Sequence, residues 1–186
     1  MRRGDWPRAA LLAAALTALS PAAGAQALTG AAGAEVSVCF TPGAKCEAFI
    51  AAAIDLARTD IRVQAYGFSS RPILEALIAA KRRGVDVEVI LDRFSVAYAG
   101  AVSVSGAGIP IWVDAARSIA HNKIVVVDSR ITLTGSMNFS RNAAQNNAEN
   151  VVRIDSPEVA RWYLDNWLIR RDSARPYDRE HPNPPR

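Results

Sequence analysis

Short apolar runs alternate with longer stretches whose apolar residues recur at helical spacing, and their order predicts a layered α/β domain. Glu35–Phe40 alternates apolar and polar residues and predicts a first strand, followed by a turn at Pro42-Gly43. Over 44–58, Phe49, Ile50, Ala53, Ile54 and Ala57 share one helical face. Ile61–Phe68 predicts a second strand. Pro72 opens a helix that runs to Arg83 and stops at Gly84. Val85–Leu91 predicts a third strand and Ile109–Val113 a fourth, with a Ser-, Gly- and Ala-rich loop between them that has room for a short helix. Two further β-branched runs, Ile124–Val127 and Ile131–Thr134, flank a tight turn at Asp128-Ser129-Arg130. A polar helix and turn over 139–147 precede a strand at Glu149–Ile154. Ser156 and Pro157 then start a last helix, whose Val159, Trp162, Tyr163, Asn166, Trp167 and Ile169 form a broad apolar face for core packing.

The ends of the chain read differently. Arg2, Arg3 and Arg8 precede an apolar run at Ala9–Leu19, and Ala23-Gly24-Ala25 resembles a cleavage site. Residues 1–25 are therefore expected to be a signal peptide, since the run is too short to span a bilayer. A flexible leader follows over 26–34, then one domain over 35–171 and a disordered tail over 172–186, Pro-rich and charged from Arg175. The expected location is periplasmic or secreted. Net charge is +4 over 186 residues. Arg2, Arg3 and Arg8 against Asp5 supply half of it, so charge alone makes no case for nucleic-acid binding. Cys39 and Cys46, the only cysteines, are expected to form a disulfide in an oxidising compartment; two buried free thiols are the alternative. Two cysteines and one usable histidine fall short of a structural metal set, so no metal is expected.

The candidate chemistry gathers between Ala120 and Asn138. His121 and Lys123 are two residues apart at the head of a strand, and strand alternation puts i and i+2 on one side. Lys123 is a point charge suited to phosphate. Ser136 and Asn138 end the next strand with a hydroxyl and an amide, and Gly135 permits close backbone approach. Together these residues describe a cradle for a phosphoryl oxygen. Glu149 is the nearest downstream acid, suited to holding an imidazole N–H. Tyr66 and Phe139 are candidates for base stacking, with core packing the competing reading.

His121, Lys123, Asp128, Gly135, Ser136 and Asn138 match H-x-K-x4-D-x6-G-S-x-N, and the chain thereby resembles the phospholipase D superfamily. It is similar to the small single-motif Nuc-type bacterial endonucleases from about Val36 to Arg170. Stretches carrying the likeness include Ala79–Asp92, Ser105–Ile111 and Asn146–Ile154. The resemblance implies a mixed sheet with helices on both faces and one motif per chain. It also implies metal-independent phosphodiester cleavage, without cofactor, through a covalent phosphohistidine. The catalytic set it implies is His121, Lys123, Glu149 and Asp128, with Asp128 ranked lowest as more structural than chemical. Lys123, Ser136 and Asn138 would bind phosphate, and Glu149 would hydrogen-bond the His121 ring. Such a mechanism uses two histidines, and the second one here, His181, lies in the tail. A homodimer sharing one site would supply the pair. The expected substrate is DNA, with RNA left open, cut with little sequence preference. The alternatives are a phospholipase D-type lipid phosphodiesterase and a non-catalytic nucleic-acid-binding module.

Overall fold

Eight strands form one mixed sheet in a computed structural model that describes residues 33–43, 45–97 and 99–180. The expected signal, most of the leader and His181 lie outside the described residues. The order is β1 (Glu35–Thr41), α1 (Cys46–Asp55), β2 (Asp60–Ala65), α2 (Arg71–Arg82), β3 (Asp86–Asp92) and α3 (Ala99–Gly106). Then come β4 (Ile111–Asp114), β5 (Lys123–Val127), β6 (Ile131–Gly135), α4 (Arg141–Asn146), β7 (Glu149–Asp155), α5 (Pro157–Asp172) and β8 (Arg175–Pro176). Across the sheet the strands run β1-β7-β6-β5-β2-β3-β4-β8. β2, β3 and β4 are parallel, joined through α2 and α3, and every other pairing is antiparallel. The mixed sheet with helices on both faces matches the sequence expectation.

Strand alternation sorts the side chains between two layers. Val63, Val89, Val125 and Leu133 face the main core with Ile50, Ile54, Ile73 and Leu77 of α1 and α2. On the other face Ile124 and Val126 meet Ala160 of α5. Trp167 is buried in α5 and donates its indole N–H to the Val63 carbonyl at 2.9 Å. Ser156 caps α5 by accepting from the Val159 N–H, with Pro157 in the first turn. Ile169, expected on the buried face of α5, is instead 63% exposed, because Val159, Ala160 and Trp167 supply the buried stripe. Among the described residues no helix is long and apolar enough to cross a membrane.

α3 is the short helix for which the loop after β3 has room, and it buries Ala101 and Val104. It approaches so closely that a Cβ at Gly100 would lie 2.0 Å from the Phe68 carbonyl oxygen. Small residues make that approach possible, and they also leave little hydrophobic periodicity to read. The expected disordered tail gives α5 its last residue, Asp172, and then pairs as β8 with β4. The Tyr177 N–H donates to the Ile111 carbonyl at 2.8 Å and the residue packs on the core.

At the β1 end, Cys39 and Cys46 are disulfide-bonded with their Cα atoms 5.6 Å apart, across the Pro42-Gly43 turn. The β5–β6 turn carries positive φ at both Asp128 and Ser129, and the Arg130 N–H closes it by donating to the Val127 carbonyl at 3.0 Å. The Asp128 carboxylate accepts the backbone N–H groups of Arg58, Thr59 and Asp60 at 2.9, 2.8 and 3.2 Å, and the Thr59 hydroxyl at 2.9 Å. It thus fastens the turn to the α1–β2 connection. Burial works to raise its pKa, but these donors together outweigh burial and hold it below the ordinary 3.8. A carboxylate with a depressed folded pKa stabilises fully above its unfolded pKa and ceases to as pH falls through the folded value. Asp128→Ala should therefore lower stability by about 2 kcal/mol at neutral pH. In urea titrations across pH, the gap from the parent protein should shrink only below about pH 4.

Candidate active site

The antiparallel register brings five chain segments to one end of the sheet. Ala65 at the end of β2 pairs with Lys123 at the start of β5. Gly135 closing β6 pairs with Val151, and Glu149 opening β7 pairs with Thr41 at the end of β1. Tyr66, His121, Lys123, Ser136 and Glu149 therefore converge although 83 positions separate the outermost pair in sequence.

Lys123 is only 5% exposed. Its ammonium donates to the His121 carbonyl at 2.7 Å and lies 5.5 Å from the centre of the Tyr66 ring. Burial lowers its pKa from the ordinary 10.5, and the Glu149 carboxylate partly opposes that fall. Glu149 is held below its ordinary 4.5, first by the Ser136 hydroxyl, then by the Asn147 amide, with a smaller pull from Lys123. Asn147 Nδ2 donates to Glu149 Oε1 at 3.0 Å. Ser136 Oγ accepts the Asn150 N–H at 3.1 Å. Gly135 makes this crossing possible: its φ is 154°, and a Cβ there would sit 2.2 Å from the Asn150 carbonyl oxygen.

His121 sits just before β5, with its side chain exposed and its ring edge-on to Tyr66, centroids 4.6 Å apart at 63°. Glu149 was expected to hold this ring; its carboxylate instead engages Ser136 and Asn147, and the His121 ring meets Tyr66. Asn138 is close by, its Oδ1 buried without a hydrogen-bond partner among the described residues. Asp128 is not brought to the site. It caps the far end of β5, five strand steps or roughly 16 Å from Lys123, and spends its acceptors on the α1–β2 connection. Phe139, one of the two stacking candidates, is buried at 2% exposure, whereas Tyr66 is at the site.

Two organising residues escape a reading of the sequence. Asp92 is fully buried at the end of β3; its Oδ2 accepts the Ala120 N–H at 2.6 Å and its Oδ1 the Phe94 N–H at 2.8 Å. One carboxylate thus fixes the backbone next to His121 and the turn bearing Phe94. Its only sequence signal is an acid ending an apolar run. Thr41 Oγ1 donates to the Asn147 carbonyl at 2.8 Å and accepts the Glu149 N–H at 3.0 Å. Nothing in its local sequence marks it. Among the described residues no group of three or more His, Cys, Asp or Glu side chains is placed to hold a metal. The arrangement offers a solvent-open imidazole beside a desolvated cation, with hydroxyl and amide donors alongside. Such a set suits a tetrahedral anion and a nucleophile directed at it.

A family model described as "Cardiolipin synthase, PLD-like domain" matches residues 50–168. A phospholipase D of Rickettsia felis is 44% identical over 141 residues, covering 75% of this chain and 70% of that protein. The mitochondrial cardiolipin hydrolase of Mus musculus is 33% identical over 113 residues, covering 60% and 51%. Among solved structures, Nuc from Salmonella typhimurium, a phospholipase D family member, superposes with a TM-score of 0.73 at 35% identity, covering 78% of this chain and 99% of that one. NucT from Helicobacter pylori shares the fold at 21% identity with a TM-score of 0.69.

The lysine–glutamate coupling has a measurable sign. Glu149 raises the Lys123 pKa, so Glu149→Gln should let Lys123 lose its proton at lower pH. The alkaline limb of a kcat/KM profile should then move toward neutrality; an unmoved limb would separate Lys123 from the reaction.

Proposed function

The chain belongs to the phospholipase D-like family, a superfamily of phosphodiesterases, and from that premise we propose that it is an exported, metal-independent endonuclease acting on DNA, with RNA left open. The observation that carries this reading is the exposed His121 imidazole beside a Lys123 ammonium that is 5% exposed. In the proposed reaction Lys123, Ser136 and Asn138 hold the phosphate oxygens. A His121 ring nitrogen bonds to phosphorus as the P–O bond to the leaving nucleoside breaks. The leaving oxygen takes a proton from the His121 of a second copy. That imidazole then deprotonates a water, whose oxygen attacks phosphorus and breaks the P–N bond. Similarity to nearly the whole of Nuc supports nucleic acid over lipid. The Cys39–Cys46 bond supports an oxidising compartment, and so export.

An exposed apolar edge strand, β1, supports the second copy. On the α5 face, α5 reaches β6, β5, β2 and β4. The register continues that face from Val126 through Thr132 and Ile154 to Val36, and from Ile124 through Thr134 and Val152 to Val38. Val36, Val38 and Phe40 are 58%, 47% and 64% exposed. This apolar stripe ends at Phe40, paired with Asn150, whose N–H is bound to Ser136. A copy seated there by two-fold symmetry would bring the two sites toward each other.

Lipid hydrolysis is the second reading, favoured by the name of the Rickettsia felis relative. One assay separates the readings: purified protein with plasmid DNA, single-stranded DNA or phosphatidylcholine vesicles in excess EDTA. DNA cleavage should persist in EDTA and fall about 1,000-fold or more in His121→Ala. Lipid turnover without DNA cleavage would select the lipid enzyme, and retarded but uncut DNA a binding module. Phe40→Glu should yield a monomer by sedimentation and abolish DNA cleavage. A fully active monomer would overturn the shared site.

A further inference from the structure

Beside the phosphate cradle lies a cavity of about 210 Å³ that shares Tyr66 and Asn138 with it. Its outer wall is Phe94, an aromatic residue left 50% exposed on the turn after β3. That turn is firmly mounted: Asp92 accepts the Phe94 N–H at 2.8 Å and the Ser95 N–H reaches the Asp92 carbonyl at 2.9 Å. The Arg93 guanidinium lies 4.9 Å from the centre of the Phe94 ring. Tyr66, Phe68 and Phe94 give the lining its aromatic surface, with the hydroxyl groups of Ser69, Ser95 and Ser140 beside them.

These features describe a slot for a flat ring next to a bound phosphate. We infer that the cavity takes one unpaired nucleobase of the substrate, stacked on Phe94. The inference rests on the nuclease reading and narrows it to single-stranded nucleic acid, because a base inside a duplex is stacked and paired and cannot enter a side pocket. It also accounts for weak sequence preference. Every base has a π-face, so stacking on Phe94 leaves all four admissible.

The test uses two single-stranded oligonucleotides of one sequence, one with a single abasic residue placed in turn along the strand, both in EDTA. Cleavage at the bond beside the abasic residue should be slower by roughly 10-fold or more in kcat/KM, in line with base–aromatic stacking. That discrimination should collapse toward unity in Phe94→Ala and return in Phe94→Trp. A 2-aminopurine at the same position should lose fluorescence on mixing with His121→Ala protein, and keep it with the His121→Ala, Phe94→Ala double variant. Equal cleavage of both oligonucleotides by the parent protein, or full discrimination in Phe94→Ala, would overturn the base slot while leaving the nuclease reading standing. Turnover of phosphatidylcholine vesicles with neither oligonucleotide cleavage nor quenching would overturn the nuclease reading itself.

Discussion

Lys123 carries an ammonium group almost out of water, and much of the architecture at this end of the sheet follows from keeping it charged there. Burial alone would drive the group toward its neutral form. The opposing contribution is Glu149, a carboxylate held ionised by Ser136 and Asn147. Those partners are fixed in turn by main chain: Asn150 supports Ser136, and Thr41 ties together Asn147 and Glu149. β1 delivers Thr41, and the Cys39–Cys46 bond ties that end of β1 to α1. A cation stripped of water and surrounded by fixed dipoles binds an incoming phosphate far more strongly than a solvated lysine would.

β5 shows how one strand divides its labour. Its first residue is the buried Lys123, preceded by the exposed His121, and its interior of valines is core. Its far end stops at Asp128, whose left-handed turn and carboxylate fasten the hairpin to the α1–β2 connection. A motif that is contiguous in sequence thus serves two ends of a strand, chemistry at one and registry at the other. Asp92 plays a comparable part from β3, coupling the backbone next to His121 to the turn that displays Phe94.

What the sequence made legible follows from which interactions are local. Alternation and helical spacing mark the main strands and helices because burial imposes those periods on neighbouring residues. His121, Lys123, Ser136 and Asn138 were legible because strand ends gather polar groups within a short span. The contacts of Glu149 were not, since its choice of Ser136 and Asn147 over the His121 ring depends on cross-strand register. Thr41 and Asp92 act on backbone groups 108 and 28 positions away, and no local pattern records such a bond. The bounds and packing of α3 were hidden because Gly100 and Ala101 fit by being small rather than by being hydrophobic. β8 was hidden because a Pro-rich segment can still donate and accept at a sheet edge.

In the proposed reaction a His121 nitrogen itself bonds to phosphorus while Lys123 holds the phosphate, and that bond can be caught. A reaction with single-stranded DNA is quenched within the first turnover, the protein is digested, and the peptide spanning Ala120–Lys123 is weighed. The expected product is a nucleotide-phosphate adduct on His121 that is labile to acid and stable to base, as a phosphoramidate should be. Turnover with no adduct at any time point, or an adduct on another side chain, would contradict it.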